Sequence, residues 1–133
     1  MGVDVGTVRV GIAVSDPSGT VATPHATVAA GSDLVARLAE LARDLACETV
    51  VIGLPKGMSG RDTASTRDAR AVAAKLAEQG FDVQLWDERL SSAEAERVLL
   101  DAGRRRSQRR VERDRIAAAI ILQGWLDASG TRS

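Results

Sequence analysis

Three runs rich in Val, Ile, Ala and Thr open this chain with almost nothing between them: Met1–Val5, Val8–Ser15 and Val21–Val28. The breaks are Gly6-Thr7 and a stretch that begins Asp16-Pro-Ser-Gly19, both of turn-forming residues. A parallel neighbour needs a crossover of a dozen or more residues, and neither break offers one. The three runs therefore read as an antiparallel meander.

The pattern then changes. Ser32-Asp33 is a helix cap, followed by Leu34, Leu38, Leu41 and Leu45 on one helical face. Glu48–Gly53 is short, apolar and β-branched, as in a buried parallel strand. A Gly/Pro loop, Leu54–Arg61, leads to a helix over about 62–79 that ends at Gly80. Asp82–Glu88 is a fifth strand. Ser91 or Ser92 caps a further helix carrying Ala95, Val98 and Leu99 and stopping at Gly103, with Ser91 and Glu94 as a capping box. A last helix runs from about Val111 to Ala128. A meander followed by βα crossovers predicts an α/β fold: a mixed five-stranded sheet, three strands antiparallel and two parallel, flanked by helices on both faces. Residues 1–133 are expected to form one domain, since no linker or repeat interrupts them.

Composition removes several function classes. Phe81, Trp86 and Trp125 are the only aromatic residues, so base stacking on aromatic platforms is not the main binding mode. The lone cysteine, Cys47, rules out an internal disulfide, suits a reducing cytoplasm and reads as a small buried hydrophobe. No apolar run approaches a membrane span and no signal-peptide pattern opens the chain, so no membrane partner is expected. The net charge of zero conceals a strong asymmetry. Seven of the sixteen arginines lie between Arg104 and Arg115, against two acids, Glu112 and Asp114; the other 121 residues hold 11 basic and 16 acidic side chains. Such a cationic segment steers polyanions.

Asp4 is a carboxylate inside an apolar strand, next to a glycine-thin turn that a phosphate could approach. It is there either to stabilise the turn or to hold a ligand. Ligands in sheets of this kind sit beyond the carboxyl ends of the parallel strands. Asp4, the loop after Gly53 and Asp87-Glu88 all fall at such ends. Asp114 heads a helical stripe of Ala117, Ala118, Ile121, Leu122 and Trp125, and the two small alanines would let the helix approach the sheet and aim the acid at its edge. The alternative is an acid favoured by the helix dipole. Strand alternation does not choose between Asp87 and Glu88, and Arg89 can pair with either. Carboxylates without His or Cys favour Mg²⁺ or Mn²⁺ over zinc, and two such ions suit phosphodiester hydrolysis. His25, after Pro24 in the third strand, reads as structural, since no nucleophile accompanies it.

Four segments carry a family resemblance: Gly2-Val-Asp-Val-Gly-Thr-Val-Arg-Val-Gly-Ile-Ala-Val-Ser-Asp16, Val51-Ile-Gly-Leu-Pro55 with Met58-Ser-Gly60, Asp87-Glu-Arg-Leu-Ser-Ser-Ala-Glu-Ala95 and Asp114-Arg-Ile-Ala-Ala-Ala-Ile-Ile-Leu-Gln123. In this order they resemble the YqgF-type, RuvX-like family, described both as Holliday-junction resolvases and as pre-16S rRNA processing nucleases with an RNase H-like fold. The resemblance spans nearly the whole chain. It implies a metal-binding, catalytic triad of Asp4, Glu88 and Asp114, with Asp87 as a fourth candidate, and Mg²⁺ or Mn²⁺ as cofactor. Members usually carry more residues before the first strand, and Gly57 stands where a polar residue is common. Arg104, Arg105, Arg106, Arg109 and Arg110, with Arg9, Lys56 and Arg61, are the expected phosphate contacts. The expected partner is nucleic acid, either structured RNA or branched DNA; symmetric cutting of a four-way junction would require a homodimer. Two other classes stand beside this one. The Asp-Val-Gly-Thr turn is similar to the phosphate-binding opening of actin-like and sugar-kinase ATPases, which need a second lobe that this chain has no room for. A catalytically weak nucleic-acid-binding or ribosome-assembly module would keep the fold without cleavage.

Overall fold

The computed structural model describes residues 1–55, 61–90 and 106–130, with side chains placed from 113 onward in the last segment and none described for Arg89. Five strands form one mixed sheet: β1 (Gly2–Val5), β2 (Arg9–Ser15), β3 (Ala22–Ala29), β4 (Thr49–Leu54) and β5 (Asp82–Asp87), in the order β3-β2-β1-β4-β5. β1 is antiparallel to β2 and β2 to β3, whereas β4 lies parallel to both β1 and β5. The sheet therefore has the topology expected from the spacing of the β-runs. β1 is short yet central. It is paired on both sides, and the Met1 amine donates to the Thr49 carbonyl at 3.0 Å.

Among the described residues three helices pack on this sheet: α1 (Leu34–Asp44), α2 (Ala64–Glu78) and α3 (Arg106–Gly130). Val3 and Val5 point to one face, where they join Val10, Ile12, Val50 and Ile52 beneath Leu38 of α1 and Leu76 of α2. Ala13 and Val51 point to the other face and pack against Ala118, Ile121 and Leu122 of α3. Cys47 is half-buried against the first of these cores. No helix among the described residues is long and apolar enough to cross a membrane.

Local chemistry explains the departures from the expected boundaries. Asp33 stands at the start of α1 without capping it; its carboxylate pairs with Arg37 one turn on. α2 is capped instead by Thr63, whose hydroxyl accepts from the Thr66 amide, while the Thr66 hydroxyl accepts from the Thr63 amide. Gly80 follows α2 with φ +95°, the left-handed conformation that terminates helices. The described part of α3 already includes Arg106, five residues before the expected start at Val111, because arginine is a good helix former and no breaker intervenes. The register of β3 slips between Ile12 and Ala13, which pair with Ala26 and Pro24 and leave His25 as the extra, exposed residue of a bulge. The helix expected between Ser91 and Gly103 lies outside the described residues.

Candidate active site

Asp4 is the only carboxylate on the sheet that is almost fully buried among the described residues, at 6 % exposure. Its face is the one covered by α3, because Val3 and Val5 take the other. The antiparallel register sets Asp4 opposite Gly11. The parallel register, which pairs Gly2 with Val51 and Val3 with Ile52, extends by one residue to set Asp4 beside Gly53. A glycine thus stands on each side of the carboxylate.

Each glycine admits the element that carries a second acid. A Cβ on Gly11 would lie 1.8 Å from the backbone oxygen of Asp114, so α3 rests directly on this position. A Cβ on Gly53 would lie 2.5 Å from Ile121 Cδ1 and 3.2 Å from Glu88 Cγ. Ala117 and Ala118 are buried in the same contact, as their small size predicted. Further along, Gln123 donates to the Thr20 carbonyl and accepts from the Ala22 amide, both at 2.9 Å, and Arg115 reaches Thr27 at 3.2 Å. These bonds fix the rotation of α3 on the sheet, and hence the direction of Asp114.

The result is a cleft of about 370 Å³ at the carboxyl ends of β1, β4 and β5, lined by Asp4, Glu88 and Asp114 together with Gly6, Thr7, Pro55, Ser65 and Arg113. Asp87, the last residue of β5, is paired in register with Leu54 and is not among the lining residues; Glu88 begins the 3₁₀ turn that follows. The far wall is built by α2. The carbonyl of Pro55 accepts hydrogen bonds from the hydroxyls of Thr66 and Thr63, tying the end of β4 to the start of that helix. Gly6 is required in the near wall, where a Cβ would meet the Arg9 carbonyl oxygen at 2.3 Å.

Arg9 heads β2, and its Nε donates to Asp114 Oδ2 at 2.8 Å, with the two side chains only 28 % and 15 % exposed. Arg61 is exposed and does not line the cleft. Lys56, Arg104 and Arg105 lie outside the described residues, and of Arg106, Arg109 and Arg110 only the helical backbone is described. Arg113 is a cation of the cleft that was not among the residues expected from the sequence. It continues the series 106, 109, 110 at helical spacing, so carrying the period one step further would have found it. The donor set of Asp4, Glu88 and Asp114 is all oxygen and suits a hard divalent cation. Among the described residues no three acidic, His or Cys side chains are gathered closely enough to hold an ion as they stand; Asp114 is engaged with Arg9.

A larger cavity, about 560 Å³, opens at the opposite end of β1 and β4 between Met1, Cys47, Leu122 and Trp125. Its lining acids are Asp16 and Glu48, and Asp16 is committed to its own turn. The Ser18 hydroxyl, then the Val21 and Thr20 amides, hold the Asp16 carboxyl down at about 2. Charged groups converge in the smaller cleft, not here.

The family model described as RuvX, Holliday junction resolvase, matches residues 1–128. The chain belongs to the RuvX family. A relative from Leifsonia xyli subsp. xyli, named "Putative pre-16S rRNA nuclease", is 46 % identical over 136 residues, covering 100 % of this chain and 88 % of its own. A relative of the same name from Lactococcus lactis subsp. cremoris is 43 % identical and covers 96 % and 93 %; one from Mycolicibacterium smegmatis is 44 % identical and covers 96 % and 79 %. Among solved structures, Thermus thermophilus RuvC in complex with a Holliday junction substrate superposes with a TM-score of 0.57 at 16 % identity, over 97 % of this chain and 94 % of that one. A second Thermus thermophilus RuvC structure gives the same TM-score at 17 % identity, over 98 % and 95 %. The fold of this RuvX-family chain is therefore the RNase H-like fold expected from the sequence.

Proposed function

We propose that this chain is a divalent-metal-dependent nuclease that hydrolyses phosphodiester bonds in structured RNA, with the 5′ end of pre-16S rRNA as its substrate. The observation that carries the reading is the meeting of Asp4, Glu88 and Asp114, from three distant parts of the sequence, in one cleft at the carboxyl ends of the parallel strands. The names of the relatives supply the substrate. Such RNA is met in the cytoplasm, the compartment that the single cysteine also favours.

In this reading Asp4, Glu88 and Asp114 hold Mg²⁺ or Mn²⁺. Bound there, the cation supplies Lewis-acid stabilisation of the charge that builds on the phosphate. The protein's own groups do the rest. The Gly6-Thr7 turn leaves room for the sugar-phosphate backbone. Arg113 at the cleft, with Arg106, Arg109 and Arg110 at helical spacing on α3, holds successive phosphates; Arg104, Arg105, Lys56 and Arg61 extend that contact. A pair of divalent ions, as first expected, would need Asp114 free of Arg9.

The second reading, a resolvase acting as a dimer on four-way DNA junctions, draws on the family's description and on the junction bound by Thermus thermophilus RuvC. A side-by-side cleavage assay with a precursor rRNA fragment and a four-way junction, each with Mg²⁺ and with chelator, separates the two. Asp4→Asn is expected to lose about 10²–10³-fold in cleavage, the scale of removing a group that stabilises transition-state charge. Unchanged cleavage in that variant sinks the triad.

A further inference from the structure

We propose that the Ser65 hydroxyl reads the 2′-hydroxyl of a ribose held in the carboxylate cleft, and so inclines the cleft toward RNA over DNA. This deepens the nuclease reading and rests on it. Ser65 is half-buried in the wall that α2 contributes, and it lines the same cleft as Asp4, Glu88 and Asp114. Its hydroxyl makes no hydrogen bond with other described residues.

The position in the helix explains why that hydroxyl is spare. A serine inside a helix can turn back on the carbonyl four residues before it. Ser65 is the second residue of α2, so the residue four places back, Arg61, stands before the helix begins. The neighbouring hydroxyls are already committed. Those of Thr63 and Thr66 accept from each other's backbone amides and donate to the Pro55 carbonyl. These bonds, with Thr66 fully buried, also fix the place of Ser65 against the end of β4.

The chemistry of the lining gives Ser65 its task. Carboxylates only accept hydrogen bonds, so Asp4, Glu88 and Asp114 suit a cation; a guanidinium only donates, so Arg113 suits phosphate oxygens. The 2′-hydroxyl does both, and it is the group by which a protein tells RNA from DNA. A serine or threonine hydroxyl can meet it in either sense. Among the described side chains that line the cleft, only Thr7 and Ser65 have this dual capacity. Thr7 stands exposed on the turn between β1 and β2, where water competes for its hydroxyl, whereas Ser65 is half-buried on a helix docked on the sheet.

A double-mutant cycle between protein and strand tests the contact. A precursor rRNA fragment is made with 2′-deoxyribose at one nucleotide at a time around the cut site. Mg²⁺-dependent cleavage of each strand is then measured for wild type, Ser65→Ala and Thr7→Val. In wild type, one such replacement is expected to slow cleavage about 3–10-fold, the worth of a neutral hydrogen bond. Ser65→Ala, which puts a good helix former in the first turn, is expected to slow the all-ribose strand by the same factor and to be indifferent to that replacement. Thr7→Val is expected to remain sensitive to it. Losses that multiply in Ser65→Ala, sensitivity abolished by Thr7→Val instead, or a wild type indifferent at every position overturns the proposal and leaves the nuclease reading standing. Cleavage of a four-way DNA junction but of no RNA strand overturns the proposal and leaves the metal-dependent chemistry standing. No Mg²⁺-dependent cleavage of any strand or junction by wild type overturns both.

Discussion

Adding one methyl group at Gly11 should cost this protein both stability and activity. The Cβ of Gly11→Ala would lie 1.8 Å from the Asp114 carbonyl oxygen, 2.3 Å from its carbon and 3.1 Å from the Arg115 nitrogen. All three are backbone atoms of α3, so no rotamer change relieves the clash. Bringing the oxygen out to 3.0 Å, the closest approach that real Cβ atoms tolerate, lifts the helix by about 1.2 Å at Asp114. Overpacking of this kind costs about 1–3 kcal/mol, and the gain from replacing a strand glycine returns only about 0.5–1 kcal/mol. Since the obstruction is main chain, the expected net loss is about 2 kcal/mol, or roughly 8 °C in Tm for a domain of this size. A displacement near 1 Å at a reacting group costs on the order of 10²-fold in rate. Gly53→Ala is the internal comparison: its nearest contact is the end of the Ile121 side chain, which can turn away. Thermal denaturation and Mg²⁺-dependent cleavage of the two variants measure both effects. Wild-type Tm and turnover in Gly11→Ala, or greater damage from Gly53→Ala, would refute the view that α3 delivers Asp114 by resting on Gly11.

Three further outcomes follow from the same structure. Thr66→Val removes a fully buried hydroxyl that caps α2 and holds the Pro55 carbonyl; it should cost about 1–2 kcal/mol in chemical denaturation, and an unaltered midpoint would contradict that role. The Asp16 carboxyl, held at about 2 against an ordinary 3.8, should stay ionised well below the pH at which a free aspartate protonates. A depressed pKa stabilises the folded turn above pH 3.8, and that help disappears as pH falls through 2; a carboxyl NMR titration centred near 3.8 would contradict this, and Ser18→Ala should move the midpoint upward. Replacing Arg106, Arg109 and Arg110 together by Ala should flatten the dependence of log K on log salt for RNA binding by roughly 0.7–0.9 for each phosphate no longer neutralised; an unchanged slope would remove α3 from the binding surface.

Sheet topology was legible because it depends on spacing. Breaks as short as Gly6-Thr7 can only reverse a strand, and runs as apolar as Glu48–Gly53 belong in the middle of a sheet. The alanines at 117 and 118 likewise announced a close helix–sheet contact. What stayed hidden was the other half of that contact. Gly11 and Gly53 look like ordinary strand residues until the register sets them on either side of Asp4, and register is a property of paired strands, not of one. Strand alternation does not separate Glu88 from Asp87, and in the sequence only the family resemblance favours Glu88; in the structure β5 ends at Asp87, which frees the next residue to turn into the cleft. Arg9 was read as a phosphate contact. Its partner, Asp114, lies 105 residues away, and such a pairing leaves no local trace.

α3 joins two tasks in one rigid rod. Its first two turns carry Arg106, Arg109, Arg110 and Arg113, its third begins at Asp114, and its remaining length is clamped to the sheet. Gly11, directly under Asp114, is the fulcrum. The arginine end of the helix and Asp114 therefore share one support. Asp114 sits where the helix is held most firmly, while the arginine end projects beyond that support. In the proposed nuclease, the path of a strand along the arginines and the direction of Asp114 would be set by one and the same helix.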